Sequence, residues 1–148
     1  MVTLVGDDLK QYFRQTLDFI FIDSVNVEPG ESAEGYSLLK SDAWYFDMHF
    51  PGNPVLPGVF QMEMIQQTGG LIINTLNDKQ KLKLYMYSAD DIKFHKAARP
   101  GDRLHTLVIL QSYRRGIGKF AGSLFINDEL SCKMNFVLIA PDEMEIHK

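Results

Sequence analysis

Apolar residues in this chain follow two periodicities, with one proline-rich stretch among them. From Val59 to about Asn77 the sequence VFQMEMIQQTGGLIINTLN is apolar on nearly every helical face. A helix that is hydrophobic almost all round belongs in a protein interior, so the pattern predicts a long central helix. Pro57 falls near its first turn, where proline is tolerated. Gly69-Gly70 would cost about 1 kcal/mol each against alanine in an exposed helix, and they predict a tight crossing against another backbone. Beyond the helix, the runs 82–94, 102–113, 117–126 and 129–140 are rich in β-branched and aromatic residues. Arg99-Pro100-Gly101, Arg114-Arg115-Gly116 and Asn127-Asp128 punctuate them, so the last three read as a meander of antiparallel strands.

Upstream of the helix, Leu9, Tyr12 and Phe13 stand at helical spacing among polar residues, and 7–15 is predicted to be a short amphipathic helix. Residues 19–27 read as a strand, Glu28-Pro29-Gly30 as a turn and 32–40 as a second strand, together a hairpin. Residues 41–58 are irregular, because Pro51, Pro54 and Pro57 each deny an N–H to a ladder or helix interior. The economical architecture is α+β, an antiparallel β-sheet wrapped around one long central α-helix, in a single domain over 1–148.

Composition narrows the partners. A hydrophobic fraction of 45% and a charged fraction of 23% fit a soluble folded domain. The formal charge of -4, without a long basic block, argues against nucleic acid. The single cysteine, Cys132, reads as a buried thiol and agrees with a reducing compartment. Met1 to Lys10 has no charged head followed by an apolar run, and no stretch approaches the 18 apolar residues of a membrane span; cytoplasm is the expected compartment.

The chemistry sits around the proline-rich loop. His49 supplies an imidazole, which titrates near neutrality and suits a base. Glu63 lies among Met62, Met64 and Ile65, where an isolated carboxylate is costly unless neutral or paired, so a raised pKa and a proton-donating role are expected. Gly58-Val59 stands at the helix start, where free N–H groups can hold a developing oxyanion. Each has a plainer reading too: a packed histidine, a solvated acid, a simple loop-to-helix turn. His95, His105 and His147 lack metal-ligand spacing, and no nucleotide-binding or serine-hydrolase motif occurs, so neither metal nor cofactor is expected. Lys93, Lys96, Arg99 and Arg103, with Arg114, Arg115 and Lys119, give local basic density that suits either an acidic partner or ordinary solvated strand ends.

The run His49-Phe50-Pro51-Gly52-Asn53-Pro54-Val55-Leu56-Pro57-Gly58-Val59, then Glu63 fourteen residues after the histidine and Gln67-Thr68-Gly69-Gly70, resembles the 3-hydroxyacyl-acyl-carrier-protein dehydratases of fatty-acid synthesis, the FabZ type with a hot-dog fold. Similarity continues through Ile92-Lys93-Phe94-His95-Lys96, Arg99-Pro100-Gly101-Asp102 and Arg114-Arg115-Gly116. The resemblance implies dehydration of a (3R)-3-hydroxyacyl thioester to the trans-2-enoyl product, in fatty-acid or polyketide synthesis. His49 would be the base, Glu63 the acid, and the N–H groups of Gly58 and Val59 the carbonyl site. It also implies a homodimer with shared active sites, sometimes grouped as a trimer of dimers, and an acidic acyl carrier protein presenting the chain on phosphopantetheine. Lys93, Lys96, Arg99, Arg114 and Arg115 would dock that carrier.

The sequence departs from the family at Arg14–Phe19, where a Pro-His-Arg-x-Pro-Phe stretch is usual. It departs again at Met48, and at Gln61 and Gln66, which occupy positions usually apolar or small. Glu63, where double-bond-isomerising relatives tend to have Asp, speaks against isomerase activity. Other functions compatible with a hot-dog protein are thioester hydrolysis and non-catalytic binding of an acyl carrier.

Overall fold

The computed structural model describes residues 1–76 and 81–145. Seven strands, β1 (Val2–Val5), β2 (Ser24–Glu28), β3 (Ser32–Leu38), β4 (Tyr85–Phe94), β5 (Arg103–Arg114), β6 (Ile117–Ile126) and β7 (Glu129–Ile139), form one antiparallel sheet in the order β1-β2-β3-β5-β6-β7-β4. The long helix α1 (Gly58–Asn74) packs on that sheet, and a short helix α2 (Pro141–Glu145) follows β7. The central-helix and meander expectations agree with this order; Asn77, the expected helix end, lies outside the described residues.

Strand alternation explains the core. Leu104, Thr106 and Val108 of β5, Phe120 and Leu124 of β6, and Met134, Phe136 and Leu138 of β7 are all buried. Facing them are Met64, Ile65, Leu71, Ile72 and Ile73 of α1, each burial being worth roughly 1.5–3 kcal/mol. The β5–β6 turn at Arg115-Gly116 and the β6–β7 turn at Asn127-Asp128 have positive φ at both central residues, the geometry whose twist matches a hairpin. Gly30 N donates to Ile72 O at 3.0 Å, so the β2–β3 turn satisfies a carbonyl in the last turn of the helix.

Several expectations need correction. Residues 7–15 do not form an α-helix: a 3-10 segment covers Gly6–Gln11, and Leu9 and Tyr12, three apart, suit that tighter winding. Residues 19–23 are not strand, because Leu17–Phe19 is a 3-10 turn and Phe21 N donates to the Gln67 side chain rather than to a neighbouring strand. β1 had no sequence signal beyond four residues at an edge. The Gly69 crossing is made against side chains, not backbone: an added Cβ would meet Phe136 Cζ at 3.0 Å and Phe120 Cδ1 at 3.3 Å.

Candidate active site

The aromatic residues before the proline loop anchor it. Phe21 stacks on Phe60 with ring centroids 4.8 Å apart, and Tyr45 meets Phe60 edge-on at 5.4 Å, which fixes segment 44–46 against the first turn of α1. Tyr45 O then accepts from His49 N at 3.1 Å. Phe50 and Asn53 exchange backbone hydrogen bonds at 3.0 and 2.8 Å, and Val55 N donates to His49 O at 2.8 Å. The loop is a closed unit held at both ends, and its His49–Phe50 peptide is cis.

That closure sets the state of the imidazole. His49 Nδ1 lies 2.9 Å from Val55 O. A carbonyl only accepts, so Nδ1 carries the hydrogen and Nε2 of the neutral ring keeps its lone pair. The ring lines a cleft of about 360 Å³ together with Gly58, Gln61, Phe94 and Lys96. Pro57 gives α1 no side-chain cap, and Gly58 and Val59 are the first two residues of the helix, whose N–H groups have no partner within it. Base and candidate oxyanion site therefore share one cleft.

Gln61, read from sequence as a departure, proves to be 2% exposed and fully engaged. Its Oε1 accepts from Ser131 Oγ at 2.8 Å and its Nε2 donates to Lys96 O at 3.3 Å. Of these partners, Lys96 itself lines the His49 cleft.

Glu63 stands elsewhere. Two residues from Gln61, it points about 200° away around the helix at roughly 100° per residue, and it lines a separate cleft of about 180 Å³ with Gln66, Gln67 and Gly70. Among the described residues, the two clefts have no lining residue in common. Burial raises the Glu63 pKa, while a hydrogen bond from Gln67 opposes the rise. Gln67 Nε2 donates to Glu63 Oε2 at 3.1 Å and to Phe19 O at 2.7 Å, and its Oε1 accepts from Phe21 N at 2.9 Å. The acid is thus oriented by a buried amide that also ties down segment 19–21. Neither Gln67 nor the Val55 carbonyl had been assigned a role from the sequence.

The basic residues divide. Lys96 lines the His49 cleft and is paired with Glu129; Lys93 is exposed on β4; Arg99 Nη1 donates to Asn53 Oδ1 of the loop at 3.4 Å. Arg114 and Arg115 lie at the far end of β5 from Arg103, about 35 Å away for a strand of this length, so the structure does not gather all five into one patch. Cys132 is a buried strand thiol whose pKa burial pushes up to about 11. His147 lies outside the described residues.

Comparison with known proteins converges on one family. The model of the FabA-like domain matches residues 15–135. The chain is 35% identical to the 3-hydroxyacyl-(acyl-carrier-protein) dehydratase FabZ of Chloroflexus aggregans, over 84% of this chain and 87% of that protein. Identity to the FabZ of Alkaliphilus metalliredigens is 36%, covering 91% and 94%. Among solved structures, the dehydratase heterocomplex ApeI:P from Xenorhabdus doucetiae superposes with a TM-score of 0.79 at 15% identity, over 90% of each chain.

Proposed function

The chain belongs to the FabA-like family, and from that membership we infer that it is a hydro-lyase that removes water from 3-hydroxyacyl groups carried as thioesters on an acyl carrier protein. Its antiparallel sheet and single long helix are the hot-dog fold. The observation that carries the chemistry is the Nδ1 contact of His49 with Val55 O, which leaves Nε2 free to take a proton beside the start of a helix. In the proposed step Nε2 removes the α-proton, and the N–H groups of Gly58 and Val59 receive the charge growing on the thioester oxygen. Glu63, whose pKa burial raises, gives its proton to the β-hydroxyl, which leaves as water while the α,β double bond forms. The proton on His49 returns to Glu63 through solvent, closing the cycle. Acid and base each contribute typically ~10²–10⁴-fold.

Opposite placement of Gln61 and Glu63 on α1 supports a shared site. His49 of one chain would meet Glu63 of a second, so a homodimer is the smallest working unit; light scattering reads whether dimers group further as trimers of dimers. Lys93, Lys96 and Arg99 would receive the acidic carrier near the mouth of the His49 cleft. The free thiol of Cys132 agrees with a cytoplasmic setting.

Two measurements test this. Mass spectrometry of carrier-bound 3-hydroxyacyl chains incubated with the protein should show loss of water, whereas loss of the acyl group would indicate hydrolysis and no change a silent binder. Mixing His49→Ala with Glu63→Gln chains should recover about a quarter of wild-type activity, since half of randomly formed dimers are mixed and each carries one intact site; no recovery after subunit exchange would overturn the shared site.

A further inference from the structure

The cleft beside Glu63 has a wall that a plain hydrocarbon tail does not call for. One stripe of α1, Glu63, Gln66, Gln67, Gly70 and Asn74, lines it, at spacings that keep all five on one helix face over about 16 Å of axis. Every side chain of the stripe is polar, Gly70 having none. Leu82, Leu84 and Leu138 supply apolar surface to the same cleft.

Asn74, at the end remote from the acid, is 2% exposed. Its Nδ2 donates to Tyr12 O at 3.0 Å and reaches Leu82 O at 3.5 Å. Both partners are carbonyls, so the nitrogen must face them and the amide cannot be turned over. Its Oδ1 is then left without a donor among the described residues. A buried acceptor without a donor is costly, and such an atom calls for a partner.

We propose that this cleft takes an acyl chain bearing a hydroxyl toward its distal end, which donates to Asn74 Oδ1. An acceptor has no hydrogen to give a carboxylate, and Arg14 and Lys83, which also line the cleft, oppose a cationic donor; a neutral hydroxyl fits what remains. The identity of the head group rests on the dehydratase reading above, while the tail preference rests on the cleft alone.

The test uses wild-type protein and pantetheine thioesters of 3-hydroxyacyl chains of equal length: plain, carboxyl-terminated, and a series with a second hydroxyl moved outward one carbon at a time. One hydroxyl position should raise kcat/KM by up to ~10-fold over the plain chain, the scale of one neutral hydrogen bond, and Asn74→Leu should bring that ratio to one. Equal or poorer use of every hydroxylated chain, preference for the carboxyl-terminated chain, or a ratio unmoved by Asn74→Leu would overturn the proposal. Non-hydrolysable pantetheine amides of the same tails, read by calorimetry, separate the two claims. Selective binding of a hydroxylated tail without dehydration of any thioester keeps the tail inference and removes the reaction. Dehydration with no tail selectivity in rate or binding does the reverse.

Discussion

Replacing Gln67 with leucine should separate its role in holding the fold from its role in tuning the acid. Leucine fills nearly the same volume but loses three hydrogen bonds, to Phe21 N, Phe19 O and Glu63 Oε2. The Phe21 N–H is orphaned in a buried position, costing about 1–3 kcal/mol. Phe19 is 41% exposed, so its carbonyl recovers water at little cost, and the added apolar burial returns up to about 1 kcal/mol. A net loss of about 1–2 kcal/mol follows, which urea unfolding should read as a midpoint shift of about 0.5–1 M at a typical slope. The second consequence is electrostatic. Burial raises the Glu63 pKa and the Gln67 amide opposes it, so without the amide the pKa climbs further. Glu63 works in its protonated form, and the alkaline fall of kcat should therefore move to higher pH. A stability loss under about 0.5 kcal/mol, or an alkaline limb that stays put or moves down, would refute this account of how the acid is held.

Three other outcomes follow from the same contacts. His49→Ala should lower turnover by at least ~10²-fold while circular dichroism and unfolding midpoint stay near wild type, since the ring is only half-buried. Glu63→Gln should abolish dehydration yet gain stability relative to wild type as pH rises. A carboxyl whose folded pKa lies above the ordinary 4.5 adds stability below that value and loses it on the way up to the raised one, so the difference in unfolding free energy should widen across that window and then level. Gly122→Ala should destabilise by about 1–3 kcal/mol without changing KM, because an added Cβ would fall inside the envelope of Ile65 Cγ2 in the helix–sheet core; thermal melting checks it.

What could be read from residues alone follows from how far each signal extends. The helix and the β5–β7 meander repeat one pattern over ten or more residues, and tertiary packing reinforces rather than opposes that pattern. Residues 19–23 have strand composition, but Gln67, some 46 positions away, captures the Phe21 amide, and no local pattern announces such a long-range bond. His49 and Glu63 were recognisable because an imidazole after a stiff loop and a carboxyl among methionines are unusual by type. The Val55 carbonyl that fixes the imidazole tautomer is a backbone atom, which every residue possesses. Gln61 looked foreign in a buried helix because its partners, Ser131 and the Lys96 carbonyl, lie far along the chain.

Among the described residues, strand β4 is bonded on one side only, to β7, and presents Tyr85, Tyr87 and Phe94 as exposed rings. An open flank of ten residues invites indefinite stacking. Three features restrain it: the register breaks between Met86 and Ser88 and again between Asp90 and Lys93, and Asp91 sits at φ 55°. Antiparallel joining of two such flanks about the two-fold axis of a homodimer would consume both at once and leave β1, a short strand of four residues, as the outer border. In the proposed homodimer, growth would then terminate after a single addition, and the seam would also set its own limit.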